Sequence, residues 1–254
     1  MKKIPRMKET MTAESKPTAG FFSFTGCEGC QITLLLMDEI TRILDGLDVQ
    51  SFHLVKEINL MTRFDLAFVE GAITSKKGIE TLREIREKSN FLVALGTCAC
   101  YGGVPAMRNF IQSEALRKYT FQHGRRPDSV TASGIGEFVD VDYYMRGCPI
   151  KKREFVDFME HFTKGEIIRP FEGSVCDQCQ RRGVDCLLKQ RIECLGAVTH
   201  GGCGALCPSE NIPCMLCRGP TEKANMAGEI KLFQKFGLSE EDIHNRLNLF
   251  KNIE

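Results

Sequence analysis

The sequence predicts an α/β fold: a parallel sheet with covering helices, followed by a small loop-rich unit. Strand-length apolar runs alternate with segments of helical periodicity as far as about Gly165. After Pro170 apolar residues thin out and eight cysteines crowd between Cys176 and Cys217, so something other than hydrophobic burial must hold that part together. Upstream, three further cysteine groups each stand just after a strand-like run.

Residues 1–19 are polar and unpatterned and read as a flexible extension or an arm on a partner. A first domain is expected over 20–168. Phe21 to Thr25 reads as a strand and Gln31 to Gly46 as a helix, with Leu36, Ile40, Ile43, Leu44 and Leu47 on one face. Val49 to Val55, Asp65 to Ile73 and Phe91 to Leu95 read as strands. Ile79, Leu82 and Ile85 mark a helix between the last two. Phe138 to Tyr144 reads as the last strand, ahead of a helix with Phe155, Met159 and Phe162 at i, i+4 and i+7. The second domain is expected over 169–254. Its tail carries a capping-box pattern, Ser239-Glu240-Glu241-Asp242, ahead of Ile243, Leu247 and Phe250.

Thirty-four basic against thirty-three acidic residues leave a formal charge of +1, so no global field favours nucleic acid or anionic lipid. No apolar stretch approaches the ~20 residues needed to span a bilayer, and neither a signal peptide nor an export motif stands at the amino terminus. A cytoplasmic location is expected. Thirteen cysteines in a reducing compartment point to metal rather than to disulfides. There is no Walker loop, and Gly134-Ile135-Gly136 lacks the third glycine and the leading strand of a dinucleotide fingerprint.

The first cysteine set comprises Cys27-Glu28-Gly29-Cys30, Gly96-Thr97-Cys98-Ala99-Cys100 and Gly147-Cys148-Pro149. Loops at the carboxyl ends of parallel strands share one crevice, so these groups can converge on one ligand. Cys30 would start the helix at Gln31, whose free N–H groups and dipole favour an anionic cluster. The second set is Cys176-x2-Cys179-x6-Cys186-x7-Cys194, then Cys203-x3-Cys207-Pro208-x5-Cys214-x2-Cys217. Eight thiolates fill two four-coordinate sites. Paired C-x2-C units also make zinc sites, which would staple a core-poor segment equally well. Cys-Pro at Cys148 and Cys207, and a third quartet in a sheet crevice, favour iron-sulfur clusters.

From about Gly20 onward the chain resembles the small subunit of nickel-iron hydrogenases, above all the cytoplasmic group with sulfhydrogenase delta subunits and methyl-viologen-reducing hydrogenase small subunits. The resemblance rests on Thr25-Gly26-Cys27-Glu28-Gly29-Cys30, Val69-Glu70-Gly71, Gly96-Thr97-Cys98, Gly147-Cys148-Pro149 and Gly201-Gly202-Cys203-Gly204-Ala205-Leu206-Cys207-Pro208.

It implies a flavodoxin-like domain followed by an iron-sulfur domain, with three [4Fe-4S] clusters and no nickel in this chain. Cys27, Cys30, Cys98 and Cys148 would hold the proximal cluster; Cys203, Cys207, Cys214 and Cys217 the medial; and Cys176, Cys179, Cys186 and Cys194 the distal. Catalysis would lie in a separate large subunit carrying the nickel-iron centre. Electrons would pass between it and a downstream acceptor subunit, of the flavin/iron-sulfur or the heterodisulfide reductase-linked kind.

Cys176 stands where the periplasmic branch has histidine, and Cys207 where it has proline. The second change completes a four-iron cluster, and thiolate in place of imidazole lowers the potential. Gly26 stands where some relatives have an acid, so no proton route is assigned. Cys100 is expected to be a spare, packed thiol. Glu28 and Glu70 are expected as cluster-tuning or helix-capping carboxylates, and His200 as a surface residue or one packed behind the ligands. Two other readings are a zinc-stapled interaction protein and a subunit like the cluster-bearing one of respiratory complex I; the latter carries one cluster and leaves eight cysteines unexplained.

Overall fold

A computed structural model describes residues 16–111, 128–166 and 169–250. The chain forms two compact units, Met1–Ile168 and Arg169–Glu254. Most of the expected extension lies outside the described residues.

In the first unit β1 (Thr18–Ser23), β2 (Asp48–Phe52), β3 (Phe64–Glu70), β5 (Ser89–Leu95) and β7 (Tyr143–Met145) form one sheet in the order β2-β1-β3-β5-β7. Every pairing in it is parallel. Leaving aside the short antiparallel pair β4 (Ile73–Ser75) and β6 (Ser129–Ser133), this is the 2-1-3-4-5 order of flavodoxin-like folds, whose switch point falls between β1 and β3.

Both faces of the sheet are buried, which is why its strands are almost continuously apolar. Phe21, Leu66, Phe68, Phe91 and Val93 share one core with Phe155, Phe158 and Phe162 of α6 (Lys152–Thr163). Phe22, Phe64, Ala67, Val69, Leu92 and Ala94 share the other with Leu82 and Ile85 of α3 (Lys76–Lys88). The aromatic residues of the first core stack in series: Phe21 lies 4.4 Å from Phe52 and 4.8 Å from Phe68 by ring centroid.

Several expectations change in detail. The expected Gln31–Gly46 helix is two helices, α1 (Gly29–Leu35) and α2 (Ile40–Asp45), broken at Leu36, whose carbonyl accepts a hydrogen bond from Lys152 Nζ. Of the expected Phe138–Tyr144 strand only Tyr143 and Tyr144 pair with β5. Asp142 is instead committed to Arg86 and to the Leu92 N–H, and residues 135–137 form a 3-10 turn. β1 begins at Thr18, tied to Asp65 through its N–H and hydroxyl at 2.9 Å each.

Between β5 and β6 lie α4 (Gly96–Tyr101) and α5 (Gly103–Ala106). In the second unit α7 (Val175–Arg181) opens with a complete capping box between Ser174 and Asp177. It is followed by α8 (Leu206–Ser209), α9 (Met226–Phe236) and α10 (Glu240–Leu247). Ser239 caps α10 by accepting the Asp242 N–H, while its hydroxyl donates to the Asp242 carboxylate. Phe250 lies beyond the end of this helix. The core here is small: Leu195, Val198, Leu216, Phe233, Ile243 and Leu247 in one cluster, and Val175, Leu187 and Ala205 packed with Cys194 and Cys214 in another.

Candidate functional site

Because β1, β5 and β7 run parallel, the loops that leave them emerge along the same edge of the sheet. Cys27 and Cys30 follow β1, Cys98 follows β5 and Cys148 follows β7. The four thiols lie within reach of one another's charge: Cys30 senses Cys148 and Cys98, Cys98 senses Cys148 and Cys27, and Cys148 senses Cys27. Burial keeps Cys30, Cys98 and Cys148 protonated near neutrality. Burial first, then the neighbouring Glu70 carboxylate, push the Cys30 thiol far up, and burial with Cys148 pushes Cys98 up to about 11. Thiols of this kind lose their protons to a metal rather than to water.

Glycines shape the space around the sulfurs. A Cβ on Gly96 would lie 2.3 Å from Cys30 Sγ, and one on Gly103 would lie 2.8 Å from Cys98 Sγ. Both residues have positive φ, +83° and +53°, which glycine alone adopts without strain. The Thr97 N–H donates to Gly147 O at 2.9 Å, tying the Cys98 loop to the Cys148 loop. Four thiols in a glycine-lined crevice suit a sulfur-rich cluster that the backbone must approach closely.

The start of α1 differs from expectation. Its N–H groups at Cys30 and Gln31 donate to the two oxygens of Glu70, at 3.0 and 2.9 Å. The anion at this helix start is therefore a carboxylate from the end of β3, and Glu70 is a buried helix cap. Its own pKa is raised by burial, against which those two hydrogen bonds act. Glu28 precedes the helix in a left-handed conformation, φ 58°, without a side-chain cap bond. Cys100 is buried in the core on the α3 side, its sulfur 3.8 Å from Ala94 O and Met145 O.

In the second unit Cys176 senses Cys194, Cys179 and Cys186, and these follow burial in pushing it up to about 12. Cys207 senses Cys203 and Cys194, and Cys214 senses Cys194 and Cys217. Cys214 is pushed up to about 12 by burial, against a hydrogen bond of 3.2 Å to the Thr199 hydroxyl. Gly196 fits between Cys176, Cys194 and Cys214, where its Cβ would lie 3.4, 3.5 and 3.8 Å from their side chains. The Cys214 N–H donates to Cys194 Sγ at 3.2 Å, so Cys194 adjoins both groups of four. All thirteen cysteines are free thiols. Among the described residues no three His, Cys, Asp or Glu side chains gather round one ion-sized position.

Sequence reasoning did not find several residues that hold these loops. Gln178 Oε1 accepts the N–H groups of Gly202 and Gly204, and Arg182 donates to Gly204 O. Arg218 is buried and donates from Nε to Gly201 O at 2.7 Å. His200, for which the sequence allowed a surface position, is buried too, with Nδ1 3.0 Å from Gly201 O. Glu229 on α9 is 5% exposed and its Oε1 makes no hydrogen bond. The only sequence signal for Gln178, Arg182 and Arg218 was proximity to a cysteine, and Glu229 had none.

Fold and site together define an α/β protein that presents clustered thiols along the carboxyl edge of a parallel sheet. The profile of the NADH ubiquinone oxidoreductase 20 kDa subunit family matches residues 27–162. Sulfhydrogenase 2 subunit delta of Pyrococcus furiosus is 34% identical, over 91% of this chain and 98% of its own. A vhu subunit of the F420-non-reducing hydrogenase of Methanocaldococcus jannaschii is 31% identical, over 81% and 82%. Among solved structures, a chain of NAD+-reducing [NiFe]-hydrogenase superposes with a TM-score of 0.55 at 26% identity, covering 62% of this chain and 97% of that one. A chain of the [NiFeSe]-hydrogenase of Dm. baculatum, 18% identical with a TM-score of 0.57, shares the fold over 86% of this chain and 99% of that one.

The chain belongs to the NADH ubiquinone oxidoreductase 20 kDa subunit family and is a hydrogenase subunit. The family match ends within the first unit, whereas the likeness to the Pyrococcus subunit extends over nearly the whole chain.

Proposed function

We propose that this chain is the electron-transfer small subunit of a [NiFe] hydrogenase and holds three [4Fe-4S] clusters. Cys27, Cys30, Cys98 and Cys148 hold the proximal cluster; Cys203, Cys207, Cys214 and Cys217 the medial; and Cys176, Cys179, Cys186 and Cys194 the distal. Bound clusters of this kind supply one-electron redox chemistry, with potentials set by ligands, hydrogen bonds and burial. The protein's part is to position the thiolates, exclude water and present the proximal quartet to a large subunit carrying the nickel-iron centre. A downstream acceptor subunit completes the relay. A cytoplasmic location accords with thirteen thiols free of disulfides.

The observation that carries this reading is the convergence of four thiols from three parallel strand ends on one glycine-lined crevice. Apolar side chains are exposed close in sequence to the quartet: Ile32 on α1, Leu36 just after it, and Val104, Met107, Phe110 and Ile111 after α4. Exposed apolar side chains of this kind suit a protein partner. Iron, sulfide and zinc analysis of the anaerobically purified protein tests the reading, with about twelve irons per chain expected from three four-iron clusters. Two or three zincs without sulfide would overturn it.

A further inference from the structure

Gln178 sits on α7 between Cys176 and Cys179, and its carboxamide leaves that quartet to serve the other one. Its Oε1 accepts two backbone N–H groups, from Gly202 at 2.9 Å and Gly204 at 3.0 Å. These are the two residues flanking Cys203. The convergence has a backbone cause: Gly202 and Gly204 have φ of +107° and +74°, so both N–H groups turn toward a single oxygen. At the carboxyl cap of the same helix, Arg182 Nη1 donates to Gly204 O at 2.7 Å. The Cys203 loop is thus held by three hydrogen bonds to the helix that carries two cysteines of the other quartet and to its carboxyl cap. Across this contact Cys179 senses the charge of Cys203.

From this geometry we infer that Gln178 is a positioning residue for electron transfer between the two centres of the second unit. It fixes the Cys203 loop against α7 and so sets the separation an electron must cross. The inference rests on the reading of the eight cysteines as ligands of two iron-sulfur clusters. A glutamine suits the task because it accepts both N–H groups without adding charge between two anionic centres.

The test uses the full chain in its hydrogenase complex, fully reduced, and compares Gln178→Met with Gln178→Glu. Methionine keeps the length and bulk of the side chain and removes the acceptor; glutamate keeps the acceptor. The readouts are iron content and the spin-spin splitting between the reduced centres in electron paramagnetic resonance, which a residue that only supported the fold would leave unchanged. Expected is a weakened splitting in Gln178→Met at unchanged iron content, with the wild-type splitting retained in Gln178→Glu. Wild-type splitting in Gln178→Met would overturn the inference. So would loss of iron from that variant, because the clamp would then serve cluster assembly rather than cluster separation. A wild-type protein without iron in the eight-cysteine unit would instead overturn the cluster reading, and this inference with it.

Discussion

Gly96 shows how little freedom the site leaves a single residue. Its φ of +83° is costly for any residue with a Cβ, and the added carbon would lie 2.3 Å from the Cys30 sulfur. If the three-cluster proposal holds, Gly96→Ala is expected to abolish the proximal cluster while sparing the other two, taking iron from about twelve to about eight per chain. Gly183→Ala is the control: its φ is +65° with nothing within 4 Å, so it carries only the backbone cost of about 1–2 kcal/mol and keeps its iron. Equal iron in both variants would show that the crevice can open. At this scale the sequence was legible where chemistry names the residue, as at the cysteines. It was less legible where a residue acts through a distant partner: Glu70 was expected as a tuning or helix-capping carboxylate, but not the helix start it caps, Cys30 forty positions away, and Gln178, which meets Gly202 twenty-four away, went unmarked.

At the scale of elements, α6 covers the sheet with phenylalanine. Phe158 lies 5.0 Å from Tyr143, 5.9 Å from Phe68 and 5.8 Å from Phe162, with no exposure to solvent beyond 1%. Phe158→Ala is expected to cost about 3–5 kcal/mol, read as a lower denaturation midpoint; a cost below about 1 kcal/mol would mean that the sheet and helix close over the gap. The parallel strands were readable because burial on both faces makes them continuously apolar. The break between α1 and α2 was not, because Ile40, Ile43 and Leu44 resume the same apolar face after it. Likewise β6, Ser-Val-Thr-Ala-Ser, has too little apolar character to stand out from a loop.

Helix α9 buries Glu229, whose pKa is raised from 4.5 to about 7 by desolvation. A carboxyl that holds its proton more tightly folded than unfolded contributes fully below pH 4.5, and its contribution is lost as pH rises through 7. Relative to the Glu229→Gln variant, whose side chain does not titrate, the wild type should therefore lose about 3 kcal/mol of stability between pH 4.5 and 8. Denaturation midpoints of the two proteins at the two pH values check this. Parallel pH profiles would mean that the carboxyl is solvated.

At the scale of the whole molecule, the two units are held by different means. The first has apolar residues on both faces of its sheet, with a continuous phenylalanine stack on one of them. In the second, one of the two small clusters is itself built around Cys194 and Cys214. A metal that binds the folded chain and not the unfolded one adds its binding free energy to folding. If the eight thiols hold clusters, that term takes the place of a core. Stripping iron anaerobically with a chelator should then expose the second unit to proteolysis while the five-stranded sheet of the first and its covering helices stay resistant, and restoring iron and sulfide should restore protection. The raised thiol values of Cys176 and Cys214 add a pH dependence, because their protons must leave before metal binds. Recovery should therefore improve as the refolding buffer is taken from pH 7 toward 9. A stripped protein whose second unit stays as resistant as its first would show that the small apolar clusters suffice, and that the cysteines are there for their chemistry alone.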